Sequence, residues 1–251
     1  MTEVLDIAKK DGRWTECPSC SEIIITQKLK ESLWVCPHCD HHFRLNAKDR
    51  IECVCDEGSY MDIEDMIANL EDRSRVMDEA IKGGEAKILG QRCVIGIMDF
   101  SFKGGTMGVA VGQAVVRMMQ DGRSRGLPLI MFCASGGVRV QEGIWGLLQM
   151  LRTAHARTLT QESPMITVFT DPTTGGVSAS FASLADVILA EPGARIGFAG
   201  PRVIESTMQC ELPPDFQDAS RLLVNGFIDM IVHRRQMRDT LGFFMRWFSE
   251  M

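Results

Sequence analysis

This 251-residue chain has no apolar run long enough to cross a membrane, and its first residues, MTEVLDIAKKDGRW, hold no apolar stretch of the kind a secretory leader needs. The cytoplasm is therefore the expected location. Net positive charge is also missing: 27 Lys and Arg stand against 33 Asp and Glu, for a net −6. No global basic field is available to draw nucleic acid or an anionic lipid surface. The phosphate-loop pattern GxxxxGK followed by Ser or Thr does not occur, nor does GxSxG. Ser135, Ser178 and Ser180 thus lack the setting of a hydrolase nucleophile, and no His is placed by sequence to serve them. Low-complexity segments are absent. With 45% hydrophobic and 24% charged residues, the composition is that of an ordinary globular protein able to bury a core.

The nine cysteines are an odd number without an export signal, so reduced thiols and metal binding are expected rather than disulfides. Four of them are ordered. Cys17-x2-Cys20 and Cys36-x2-Cys39 have fifteen residues between them, the spacing of a four-cysteine zinc site. Each CxxC turn aims two thiolates at one point, and Pro18 and Pro37 stiffen the turns. With all four ligands Cys, the site is closed and structural rather than catalytic. His38, His41 and His42 lie beside it, His38 as a spacer. Cys53, Cys55, Cys93, Cys133 and Cys210 show no ligand spacing. The ribbon spans residues 13–47 and has too few apolar side chains to fold without metal. Lys28, Lys30, Arg44, Lys48 and Arg50 surround it, with Trp14, Trp34 and Phe43 available to stack on bases. Nucleic-acid binding is a secondary expectation on that ground, weakened by interleaved acidic residues.

Residues 48–82 are heavily charged and read as helical. From about Gly90 strand-like runs alternate with helical ones: RCVIGIMDF, LPLIMFC, SPMITVFT and DVILAE against TMGVAVGQAVVRMMQDG, GGVRVQEGIWGLLQMLRTAHA, RLLVNG and QMRDTLGFFMRWF. This is an α/β pattern of strand–helix units around a buried sheet, placed in a second domain over 48–251. Two Gly-Gly pairs, Gly136-Gly137 and Gly175-Gly176, each follow an apolar strand and precede a helical stretch. Amides at such a junction are unpaired and can hold an oxyanion, while glycine lets a ligand approach the backbone. Arg139, Arg195 and Arg202, with Lys103 before Gly104-Gly105, are basic groups near these loops; each could meet a phosphate or carboxylate, or be an ordinary surface charge.

Several stretches together, CASGGVRVQEGIWGLLQM, VFTDPTTGGVSASFASLADVILAEPGARIGFAGPRVIE and GFIDMIVHRRQMR, preceded by CPHCDHHFRL, DEGSY and KGGTMG, resemble the carboxyltransferase β subunits of bacterial acetyl-CoA carboxylase. The resemblance implies a crotonase-like (ClpP/crotonase) spiral of ββα units behind an N-terminal four-cysteine zinc ribbon. It implies carboxyl transfer from carboxybiotin, borne on biotin carboxyl carrier protein, to acetyl-CoA, giving malonyl-CoA. It further implies a separate α subunit in an α2β2 assembly, working with biotin carboxylase. Under it Gly175, Gly176, Gly136 and Gly137 are the backbone catalytic positions, and Cys17, Cys20, Cys36 and Cys39 the zinc ligands. Ser135, Arg139, Thr174, Val177, Gly200 and Arg202 are the expected substrate-binding residues. The chain departs from the family pattern in a shortened 61–90 segment and at Val138, Val140, Trp145, Ser183 and Ala185. Those departures raise the alternative of a specialised-pathway or inhibitor-tolerant copy acting on another acyl-CoA.

Overall fold

The computed structural model describes residues 12–62, 79–213 and 215–250, and its backbone divides into two units between Leu45 and Asn46. In the first unit an antiparallel hairpin, β1 (Trp14–Glu16) and β2 (Ile23–Ile25), leads into α1 (Thr26–Glu31). Its apolar interior is little more than Ile24 and Leu29, set against Cys17 and Cys36, with Trp34 and Phe43 at the edge. So small a core leaves the cysteines as its organising feature.

The second unit starts with α2 (Ala47–Val54), where the Asn46 side chain accepts the Asp49 N–H as an N-cap. The helix expected over 48–82 stops there. β3 (Met61–Asp62) and the eight-residue β4 (Ile81–Ile88) follow, and residues 63–78 of that stretch lie outside the described residues. β4 is a strand because of its partner rather than its own pattern. Leu89 and Gly90, at φ 51° and 79°, turn the chain so that Ile88 faces Gln91 of β5 (Gln91–Met98). Two consecutive positive φ values match the twist of a two-residue hairpin.

After β5 come α3 (Val109–Arg125), β6 (Leu129–Ser135), α4 (Ile144–Leu159), β7 (Met165–Thr174), the single turn α5 (Gly175–Ser178), β8 (Val187–Ala190) and β9 (Ile196–Gly197). Then follow α6 (Pro201–Met208), α7 (Ala219–Val224), β10 (Met230–Ile231) and α8 (Arg234–Ser249). The strands form one sheet in the order β10-β8-β7-β6-β5-β4-β3, with β9 added to the end of β7. β5, β6, β7, β8 and β10 run parallel, whereas β3, β4 and β5 alternate in direction. β4, β5 and α3 make a complete ββα unit.

Period-two alternation sends side chains to both faces of the sheet. In β6, Leu129, Met131 and Cys133 join a core layer with Val111, Val115 and Met118 of α3. Ile130 and Phe132 point the other way, into a layer with Met237, Leu241 and Met245 of α8. That second layer also holds a buried ion cluster. Glu191, just past β8, is bonded by Arg50 of α2 and Arg234 of α8, and the Arg50 guanidinium lies 5.0 Å over the Phe132 ring. Arg50 is therefore an interior strut and not part of a basic surface. Among the described residues no helix is long and apolar enough to cross a membrane.

Candidate active site and zinc centre

The loops after β6 and β7 come together at the carboxyl ends of the parallel strands. Short hydroxyl side chains lock the two strand ends: Thr170 Oγ1 and Thr173 Oγ1 donate to Cys133 O at 2.9 and 2.7 Å, and Thr174 Oγ1 donates to Ser135 O at 3.2 Å. Beyond them the two Gly-Gly pairs meet. A Cβ built on Gly175 would stand 2.7 Å from the Gly137 Cα, and one built on Gly137 would stand 3.1 Å from the Gly175 Cα and 3.3 Å from the Gly176 nitrogen. Both residues also have positive φ, 113° at Gly137 and 65° at Gly175. Any side chain at either position would fill the gap and strain the backbone. The two pairs are thus halves of one feature rather than two copies of a device.

The halves are not equivalent. Gly175 opens α5 directly at the end of β7 and donates its N–H to Phe198 O at 2.9 Å. The next amide of that first turn, Gly176, has no intrahelical acceptor by position. On the other side no helix follows Gly136-Gly137 directly; a short 3-10 turn (Val140–Glu142) comes first and α4 starts at Ile144. The amides expected to be open there are paired: Gly136 N–H bonds Gly104 O at 2.8 Å and Gly137 N–H bonds Ser135 Oγ at 3.0 Å. The Lys103–Gly105 loop supplies that support, since Ser135 Oγ in turn donates to Gly105 O at 2.7 Å. The sequence signal for this third loop was its own Gly-Gly pair, Gly104-Gly105.

Several expected substrate-binding residues are buried or bonded within the frame of the site. Ser135 and Val177 are fully buried. Arg139 is buried as well, bonded to Glu79 at 2.7 and 3.0 Å, to Glu142 at 3.1 Å and to Thr106 O at 3.0 Å. Its guanidinium holds the Glu79 carboxyl below the usual range even though burial pushes the other way. Glu142 reaches back to accept the Val109 N–H at 2.6 Å and caps α3. The reason is general: a charged residue in a loop is assigned to the surface by type, and only tertiary partners reveal that it is interior. Arg195 is half-exposed and paired with Asp171 at 2.9 Å. Gly200 is the N-cap of α6, and the side chain of Arg202 lies outside the described residues. Thr174 remains at the edge of the glycine gap.

In the first unit the four cysteines converge. Cys17 Sγ and Cys39 Sγ are 3.6 Å apart, Cys20 Sγ and Cys36 Sγ 3.8 Å, and all four sulfurs lie within 4.8 Å of one another. Zn–S bonds of about 2.3 Å in a tetrahedron require sulfur–sulfur edges of about 3.8 Å. The two knuckles repeat one geometry: Ser21 N–H bonds Cys17 O and Asp40 N–H bonds Cys36 O, with Ser21 and Asp40 at φ 59° and 61°. The backbone at His41 draws the Cys39 thiol down to about 7, against the effect of burial. The donor set fits a structural zinc.

Comparison with known proteins agrees with this arrangement. Residues 42–242 match the carboxyl transferase domain family, and residues 14–39 match the acetyl-CoA carboxylase zinc finger domain. The acetyl-coenzyme A carboxylase carboxyl transferase subunit beta of Carboxydothermus hydrogenoformans is 42% identical over 257 residues, covering 96% of this chain and 91% of that protein. The beta subunit of Desulforamulus reducens is 44% identical over 248 residues, covering 92% and 86%. A protein of Natranaerobius thermophilus named for subunits beta/alpha is 45% identical over 94% of this chain, which spans 42% of its length. Among solved structures, transcarboxylase 12S with methylmalonyl-coenzyme A and methylmalonic acid bound aligns with TM-score 0.69 and 25% identity over 79% of this chain and 40% of that one. A Pseudomonas malonate decarboxylase hetero-tetramer in complex with malonate shares the fold, with TM-score 0.68 over 82% of each chain. The chain belongs to the carboxyl transferase family, among the beta subunits of acetyl-coenzyme A carboxylase carboxyl transferase.

Proposed function

We propose that this chain binds acetyl-CoA and, with an α subunit, transfers to it the carboxyl group of carboxybiotin presented on biotin carboxyl carrier protein. Biotin carboxylase would reload the carrier. In the transfer the acetyl group loses a methyl proton to become an enolate. Its carbon then bonds to the carboxyl carbon, the N–C bond of carboxybiotin breaks, and the released biotin nitrogen is protonated. Negative charge grows on the thioester oxygen and is the charge the site must stabilise. Gly176 is assigned to that oxygen through its amide. Gly175 aligns the turn by committing its own amide to Phe198 O, and Gly137 keeps the space in front clear. The observation that carries this reading is the mutual approach of Gly137 and Gly175. The ribbon's zinc, when bound, folds the first unit and takes no part in the chemistry.

The exposed face of α4 supports a protein partner. Its buried face is small or polar (Gly146, Gln149, Thr153, Arg157), and its exposed face is apolar, with Ile144, Trp145, Leu147, Leu148 and Leu151 bare to solvent. A soluble helix normally has these the other way round. α4 also borders the site, because a Cβ on Gly176 would meet Met150 Sδ at 2.8 Å. We assign this face to the α subunit. That the Natranaerobius relative is named for both subunits supports the pairing.

The test is carboxyl transfer from malonyl-CoA to biocytin. Activity with both subunits, and none with this chain alone, is the expected outcome. Activity from the chain alone would make it a self-contained acyl-CoA enzyme, and inactivity of the assembled pair would exclude this function.

A further inference from the structure

The segment after β9 forms the back of the glycine site, and its three successive carbonyls are each held by a different group. Gly197 O accepts from Ser178 Oγ at 2.7 Å, a hydroxyl it shares with Gly175 O at 2.9 Å. Phe198 O accepts the Gly175 N–H at 2.9 Å. Ala199 O accepts from Gln217 Nε2 at 2.6 Å. The first two holds come from α5 itself, whereas the third comes from the opposite side, from a residue 41 positions beyond Gly176 in sequence.

Gln217 is built into this place. Its backbone carbonyl accepts the Ile196 N–H at 2.8 Å, so that its main chain runs beside β9. Its side chain then continues the ladder to Ala199, passing over Gly197. A Cβ on Gly197 would fall 2.3 Å from the Gln217 amide nitrogen, so only glycine lets the side chain cross. Gln217 adopts φ 65°, a costly conformation for a residue with a side chain. It is 8% exposed, and its Oε1 finds no hydrogen-bond partner among the described residues. A buried acceptor left unsatisfied opposes folding. Stability alone would favour an apolar side chain of the same length here. The group that answers for the residue is its N–H donor.

We propose that Gln217 is a positioning residue for carboxyl transfer. By holding Ala199 O from the side opposite α5, it fixes the 197–199 segment, whose Phe198 O accepts the Gly175 N–H, and so sets where the Gly175 and Gly176 amides stand. It does not touch the substrate. Its kinetic consequence rests on the oxyanion role assigned to Gly176 above; its structural consequence does not.

The variant that separates donor from shape is Gln217→Met, made in the full chain and assembled with the α subunit. Thermal stability and assembly are expected to equal or exceed those of the parent. Hydrogen exchange of the amides in 173–178 should quicken about tenfold, with β5 and β6 unchanged. For malonyl-CoA to biocytin transfer, kcat should fall about tenfold with KM within about twofold. Ser178→Ala removes another hold on the same segment, so the double variant should lose less than the product of the single losses. Unchanged exchange in 173–178 would overturn the proposal, as would losses in kcat that simply follow losses in stability or assembly, or two variants whose effects multiply independently. If the parent pair transferred no carboxyl at all, the function proposed above would fall, while the exchange measurement would still decide the role of Gln217.

Discussion

A methyl group is the smallest probe of the glycine gap. Gly175→Ala places a Cβ 2.7 Å from a backbone atom at positive φ, where nothing flexible can give way. The atoms nearest a Cβ on Gly176 belong to the side chains of Val138 and Met150, which can move. Gly175→Ala should therefore lower kcat/KM of the assembled enzyme by about a hundredfold or more, the scale of a lost oxyanion donor, and Gly176→Ala by less. Steady-state rates on malonyl-CoA and biocytin decide the order. Arg139 sets a second test. Removing its guanidinium leaves Glu79 and Glu142 without their buried cation, so Arg139→Met should cost about 3 kcal/mol of stability, read from denaturant unfolding. A residue binding only CoA phosphates would instead show its loss in KM. The glycine pairs were legible in the sequence as two separate loops at strand ends. Their contact was not, because nothing local encodes which loop packs on which, and the paired amides of Gly136 and Gly137 depend on a third loop thirty residues upstream.

Elements differ in how far their own residues explain them. The four-cysteine ribbon was readable to the ligand, because metal geometry fixes spacing. Removing one ligand, Cys36→Ser, should abolish stoichiometric zinc and unfold the first unit, since the metal contributes roughly 10 kcal/mol or more to domains of this kind. Metal analysis and circular dichroism of the variant check both, and the sheet of the second unit should keep its own unfolding transition. β4 was hidden because KGGEAK has neither alternation nor apolar length; its strand state comes from the turn at Leu89-Gly90 and from β5. Inside it sits Glu85, whose carboxyl is held below its usual 4.5 chiefly by the Arg92 hydrogen bond and also by Arg125, against burial. A lowered folded-state value means stability that is present above about pH 4.5 and is lost as pH falls through the folded value. Glu85→Gln should therefore flatten the dependence of Tm on pH below 4.5 and lower Tm at neutral pH. A variant whose acid-side slope matches the parent's would show that the pair does not couple to folding.

For the whole molecule, the α/β alternation and the zinc ribbon gave the architecture, and the chain's membership in a β-subunit family gave its setting. The outward apolar face of α4 could not be read beforehand, because an apolar helix stripe normally signals core; only burial shows that α4 turns its stripe outward. Leu151 is 70% exposed and Trp145 64%. Leu148→Asp with Leu151→Asp should weaken association with the α subunit by at least about tenfold and leave the Tm of the isolated chain unchanged or higher, as measured by sedimentation and calorimetry. The same bare helix has a consequence for the life of the chain before it finds a partner. A copy without a partner leaves the apolar face of α4 exposed, a strip of the kind that favours self-association. Under the pairing proposed above, the yield of intact chain should follow the supply of α subunit, which ties the ratio of the two polypeptides to their synthesis.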